Sequence, residues 1–233
     1  AMADEWSVAA SNWRALAELI AMQVDRSTLL FDIGSTTTDL IGIHPAHVDT
    51  ASRTDTDRLL WGELVYTGIE RSNVAGLLQK FNDEGVEYPI VNEQFATASD
   101  AHIVLGHLEA DANNMVTADG RSRSLENCQQ RLARTMGLDL EFVSPQTLTR
   151  LAHAVHEAQS SLIAQAIVKR YGQCPASSIS QIMLTGHGQF LARAAINRLS
   201  WQPTVITLSD FLTPAAERSA CAYAVAKLAE AMR

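Results

Sequence analysis

The chain has 233 residues, 47% of them hydrophobic and 19% charged, with a formal net charge of −8. That is an ordinary globular composition with enough length for a real core, and its acidic balance argues against binding nucleic acid or an acidic membrane surface. Cys128, Cys174 and Cys221 are far apart and lack paired spacing, which argues against a disulfide framework or a cysteine zinc site and fits a reduced cytoplasm.

Ser11 to about Gln23 reads as a helix, with Trp13, Leu16, Leu19 and Ile20 on one face and Ser11 as its cap. Two apolar arms follow, Leu29–Ile33 and Leu40–Ile43, joined through Asp32, Gly34, Ser35, Thr36, Thr37, Thr38 and Asp39. They read as a strand hairpin. Gly34 permits a tight reversal and a close approach of backbone to ligand. Hydroxyls and backbone N–H groups suit a phosphate, and flanking carboxylates suit its magnesium. The plain alternative is a hairpin with a polar tip, its threonines chosen for strand propensity. No Gly-Lys-Ser/Thr follows, so this is not a P-loop.

Residues 44–57 read as a polar loop. The stretch from Gly62-Glu63 through Tyr66-Thr67-Gly68 to Arg71 combines carboxylate, turn and cation. Arg71 can grip a phosphate or carboxylate with two donors, or make a surface ion pair. A turn is expected within 81–88 and a helix within 95–108. Glu93, Asp100 and Asp119 read by default as solvated surface. Helices are expected over 125–136, ended by Gly137, and over 147–171, ended by Gly172 and Pro175. His153 and His156 are three apart on the latter and can meet, but no third metal ligand is evident.

The last quarter alternates: strand 179–185, a Gly186-His187-Gly188 turn, helix 189–199, strand 204–208 and helix 214–232. Thr213 can cap that last helix, with Pro214 at its first position and Glu217 in its first turn. A glycine turn between strand and helix is where ligands bind in α/β sheets, and the helix start favours an anion. Glycines also make ordinary turns at such junctions. No apolar run approaches the roughly 18 residues of a membrane span. The acidic start, Ala1 to Trp6, has no signal-peptide core, and a cytoplasmic location is expected. No Gly-x-Ser-x-Gly elbow or Cys–His pairing supports a nucleophilic hydrolase.

The stretch Asp32–Asp39 resembles a phosphate motif of the hydantoinase A/oxoprolinase family, within the acetate kinase, sugar kinase, Hsp70 and actin superfamily. Ala9–Trp13, Gly62–Gly68, Phe95–Asp100, Thr117–Gly120 and Thr185–Phe190 extend the resemblance over nearly the whole chain. They bring it near the proteins of tetrahydromethanopterin-linked one-carbon transfer and the kinase-like synthase of methanofuran biosynthesis. The resemblance implies an α/β, ribonuclease H-like fold, here a single domain over 1–233 with a middle insertion at roughly 44–145. It implies another strand–turn motif of the Asp-x-Gly-Gly kind upstream, so the chain is expected to lack or abridge its first lobe, or to be a naturally shortened member, and a homodimer is a further expected partnership. It implies ATP and Mg2+ as cofactors and a small-molecule substrate. Asp32 would organise magnesium and take part in catalysis with Asp39. Gly34, Ser35, Thr36, Thr37, Thr38, Gly186 and Gly188 would hold the nucleotide, and Arg71 and Glu63 the substrate. An ATP-dependent amidohydrolase and a non-catalytic nucleotide-binding module are the two other readings.

Overall fold

The computed structural model describes residues 12–50, 52–172, 179–213, 216 and 219–231. The chain forms two compact units: residues 1–66 with 163–233, and residues 67–162. The middle insertion expected at roughly 44–145 overlaps the second of these units.

The first unit is built on a mixed six-stranded sheet. Strands β1 (Thr28–Ile33), β2 (Thr38–His44) and β3 (His47–Asp49) form an antiparallel meander. Strands β7 (Gln181–Gly186) and β8 (Thr204–Thr207) continue it in parallel, in the order β3-β2-β1-β7-β8, and β4 (Leu64–Val65) pairs with β2. An antiparallel meander extended by parallel crossover strands is the α/β sheet expected of a ribonuclease H-like unit. One face packs on α1 (Asn12–Ala21) and α8 (Ala220–Ala231) through Leu16, Leu30, Ile41, Ile43 and Ala224. Helix α7 (Gln189–Ile196) also packs on β1 and β7.

Several local readings hold, and several change for identifiable reasons. Ser11, Pro175, Pro214 and Glu217, expected at helix ends, lie outside the described residues. The Thr213 hydroxyl accepts from the Ala216 N–H at 3.4 Å, but the last described helix begins only at Ala220. The polar stretch after His44 is not all loop, because α2 (Asp55–Trp61) starts there. Thr54 and Asp57 exchange side-chain and backbone hydrogen bonds in a capping box, and Gly62 ends the helix at φ 76°.

The second unit contains α3 (Val74–Leu77), α4 (Ala98–Val104), α5 (Leu125–Thr135), the start of α6 (Pro145–Tyr171) and a two-stranded hairpin. In that hairpin β5 (Lys80–Asp83) meets β6 (Val86–Pro89) across Glu84 and Gly85, at φ 48° and 89°. Two positive φ values match the right-handed strand twist, so the expected turn carries strands on both sides. The core gathers Val74, Phe81, Ala101, Leu132, Met136, Leu151 and Val155. Among the described residues, no helix is long and apolar enough to cross a membrane.

Candidate functional site

Strand register creates the site. Asp32 and Asp39 stand directly opposite across β1 and β2, so both carboxylates share one face of the sheet. Leu64 is opposite Asp39 on the far side, and Thr185 is opposite Asp32. A cavity of about 180 Å3 opens on the two acids, lined also by Trp13, Thr37, Asp55, Arg58, Leu64 and Cys221.

The acids have unequal partners. Arg58, itself 2% exposed, donates to Asp39, to Asp55 at 3.2 Å and to the Glu63 carbonyl at 3.4 Å. Its guanidinium also lies 4.2 Å from the centre of the Trp13 ring. Asp32 has no hydrogen bond or ion pair among the described residues. Burial, and then the charge of Asp39, pushes its pKa up to about 7. Burial also raises Asp39, against the pull of Arg58. The Cys221 thiol is pushed up to about 11 by burial and by the two acids, which leaves it protonated and a poor nucleophile.

The hairpin tip divides by face. Thr37 lines the cavity, whereas Thr38 points to the opposite face and is fully buried; strand alternation takes its hydroxyl away from a ligand. The Ser35 and Thr36 hydroxyls lie 3.4 Å apart at the tip. The N–H groups of Ser35, Thr36 and Thr37 have no acceptor among the described residues. Gly34 is not the demanding glycine. It is not among the positive-φ residues, and a Cβ there would meet only the Thr37 carbonyl at 3.7 Å. Its N–H is spent on that same carbonyl at 3.0 Å.

Gly186 is the demanding one. It ends β7 beside Ile33 at φ 78°, and a Cβ there would collide with Asp32 Oδ1 and the Ile33 carbonyl. The glycine therefore makes the room in which the Asp32 carboxylate sits. The Gly188 N–H donates to the Ile33 carbonyl at 3.2 Å, so it ties the α7 turn to the sheet and is not aimed at a ligand.

The two residues expected to hold substrate belong to different units. Glu63 is 2% exposed, accepts from Thr50 at 2.6 Å and lies 3.4 Å from the Arg170 guanidinium. It is a buried structural anion of the first unit. Arg71 belongs to the second unit, where it is exposed and lines a polar pocket of about 280 Å3 with Glu70, Thr97, Ser99, Thr117 and Arg123.

Asp100 and Asp119 overturn their reading as solvated surface. Asp100 is 2% exposed and accepts from Arg131 at 2.8 and 2.9 Å; Asp119 accepts from the same guanidinium at 3.0 Å. Thr97 and Asp100 also form the capping box of α4. A charge in a globular core must be paired, and Arg131 supplies the pair from α5.

Sequence reading missed Arg58. The Thr54-x-x-Asp57 capping signal was present, and would have placed a helix one step from Arg58. Nothing local distinguishes a buried arginine from an exposed one; only the β2–β4 pairing brings it to Asp39.

With this geometry in hand, comparison with known proteins adds the lineage. The hydantoinase/oxoprolinase family model matches residues 2–232. The chain belongs to the hydantoinase/oxoprolinase family. One relative is the (4-{4-[2-(gamma-L-glutamylamino)ethyl]phenoxymethyl}furan-2-yl)methanamine synthase of Methanocaldococcus jannaschii. It is 31% identical over 224 residues, covering 95% of this chain and 64% of the relative. The same-named synthase of Methanococcus vannielii is 27% identical over 187 residues, covering 79% of this chain and 81% of its own length. The chain thus spans under two thirds of the first relative. Among solved structures, the Alp12 filament structure aligns over 94% of this chain and 52% of its own, at 11% identity and a TM-score of 0.42. A likeness that distant carries no functional weight.

Proposed function

We propose that this hydantoinase/oxoprolinase-family chain takes part in ATP-dependent condensation in methanofuran- or tetrahydromethanopterin-linked one-carbon metabolism, in the cytoplasm. The observation that carries the nucleotide half of this reading is the unequal acid pair. Asp32 is a partly desolvated carboxylate with a second acid opposite it and no cation of its own. A magnesium ion is a hard, oxygen-seeking cation that holds a few carboxylates and phosphates and keeps its waters. It fits that vacancy in the charge balance.

MgATP, when bound, would supply phosphoryl activation and charge neutralisation. Asp32 would hold the ion or its waters. Thr37 and the N–H groups of Ser35 to Thr37 would meet phosphate oxygens. Asp39, paired with Arg58, would orient a magnesium water or the attacking group. Gly186 preserves the position of Asp32. The condensation half rests on the relatives' names, whose product joins a phenol oxygen to a furan-bearing methylene. Its γ-glutamyl group carries a carboxylate, a ligand suited to Arg71 beside Arg123.

Calorimetric titration with MgATP and MgADP tests the reading. Micromolar binding to the native chain, lost in an Asp32→Ala, Thr37→Ala variant, is the expected result. Binding unchanged in the variant would remove the hairpin from the site. The family description favours a second reading, ATP-dependent opening of a cyclic amide; a ring-opened product from hydantoin or oxoproline would establish it instead.

A further inference from the structure

The second unit brings together three histidines that sequence spacing alone leaves apart. Helix α4 ends in a Schellman turn at Gly106, φ 71°. The His107 N–H bonds the His102 carbonyl at 2.8 Å, and the Gly106 N–H bonds the Ile103 carbonyl at 3.0 Å. That turn folds His107 back over His102, and their Nδ1 atoms lie 3.4 Å apart. His156 of α6 closes the group, its ring centre 5.7 Å from that of His102 and 5.1 Å from that of His107.

The orientation of His102 follows from its neighbours. The Gln159 amide nitrogen donates to the Gly68 carbonyl and to Thr67 Oγ1, both at 2.8 Å. A carbonyl only accepts, so the amide cannot be reversed. Gln159 Oε1 then accepts from His102 Nε2–H at 2.9 Å. His102 Nδ1 is left as the bare nitrogen, and it faces His107. A ring N–H donated to a carbonyl oxygen is the usual outer support of a metal-binding histidine.

We propose that His102, His107 and His156 form a binding site for a divalent transition-metal ion of the zinc type. Two nitrogens on a tetrahedral zinc at about 2.0–2.1 Å lie about 3.4 Å apart, the separation His102 and His107 already have. One nitrogen from each of the three residues lies within 4.8 Å of the others. Turning the exposed His107 and half-buried His156 side chains closes the remainder. Three imidazoles select zinc, nickel or copper over magnesium or calcium. Because His107 is exposed, the fourth position is open to water or to a substrate oxygen.

The site shares no residue with the carboxylate cavity, and the experiment keeps them apart. The full chain, stripped with a chelator, is titrated with Zn2+ by calorimetry and with Co2+ by visible absorption. We expect a single equivalent to bind, with the intense d–d bands of a four-coordinate cobalt site. His107→Ala and His156→Gln, checked for native far-UV circular dichroism, should each weaken binding about tenfold or more. Asp32→Ala should leave it unchanged. No zinc binding, binding that survives in both histidine variants, or binding lost only with Asp32→Ala would each overturn the proposal.

Discussion

Each unit sets two partly or fully buried aspartates near one arginine, with opposite results. In the second unit Arg131 reaches both acids, Asp100 at 2.8 and 2.9 Å and Asp119 at 3.0 Å, and Arg134 approaches Asp119 at 3.6 Å. In the first unit Arg58 bonds Asp39 but not Asp32. Burial works against the Asp119 carboxylate, yet the Arg121 N–H and the Arg131 guanidinium outweigh it, and its pKa is lowered. Burial of Asp32 finds no such answer, and its pKa rises to about 7. The second network is electrostatically closed and works as a brace. The first is open by one cation and faces a cavity, which is the condition of a binding site.

Breaking the closed network should have the largest effect. Arg131→Met leaves Asp100 buried without its cation, which costs about 3–5 kcal/mol. Thermal denaturation should show Tm falling by on the order of 10 °C; a loss of only a degree or two would mean the network is not a brace. Next comes the glycine that shapes the open site. Gly186→Ala forces a side chain into left-handed backbone, a cost of about 1–2 kcal/mol before any collision with Asp32, and should abolish MgATP binding. Gly34→Ala, at ordinary φ and ordinary contact, should change stability by less than about 1 kcal/mol. Equal losses in the two alanine variants would refute the distinction between these glycines.

The pH response of the open network is smaller and has a definite sign. The native chain holds the Asp32 proton up to about pH 7, whereas an unfolded aspartate releases it near pH 3.9, roughly. Between those values the native state binds more protons, so stability falls as pH rises. Asp32→Asn removes that penalty. Without magnesium, its Tm should exceed the native value by several degrees at pH 8 and converge with it below about pH 4. A variant less stable than the native chain at pH 8 would show that the carboxylate is already neutralised. The smallest effect belongs to Asp55, the half-exposed outer partner of Arg58. Asp55→Ala should cost less than about 1 kcal/mol in denaturant unfolding.

Much of the framework was legible because it is written in local pattern. The arms of the hairpin, the long helix ended by Gly172 and the late strand–helix alternation follow from apolar periodicity and glycine position. The hairpin also announced its two flanking acids, while their register opposite one another came with the strand pairing. Legibility failed where a residue's role depends on a partner far along the chain. Asp100 and Arg131 are 31 positions apart, and His102 and Gln159 are 57. Asp119 in a polar loop looks the same whether it faces water or a buried guanidinium.

The sequence by itself determined the α/β class and the hairpin with its two flanking acids, because strand alternation and turn length are short-range properties. Tertiary structure alone decided that Arg58 would neutralise one of those acids and leave the other, that Glu63 would be a buried structural anion, and that Gly186 rather than Gly34 would shape the site. It also decided that three histidines would meet. The physical reason is common to all four. Desolvation and pairing depend on what lies across space, and that is set when distant segments pack.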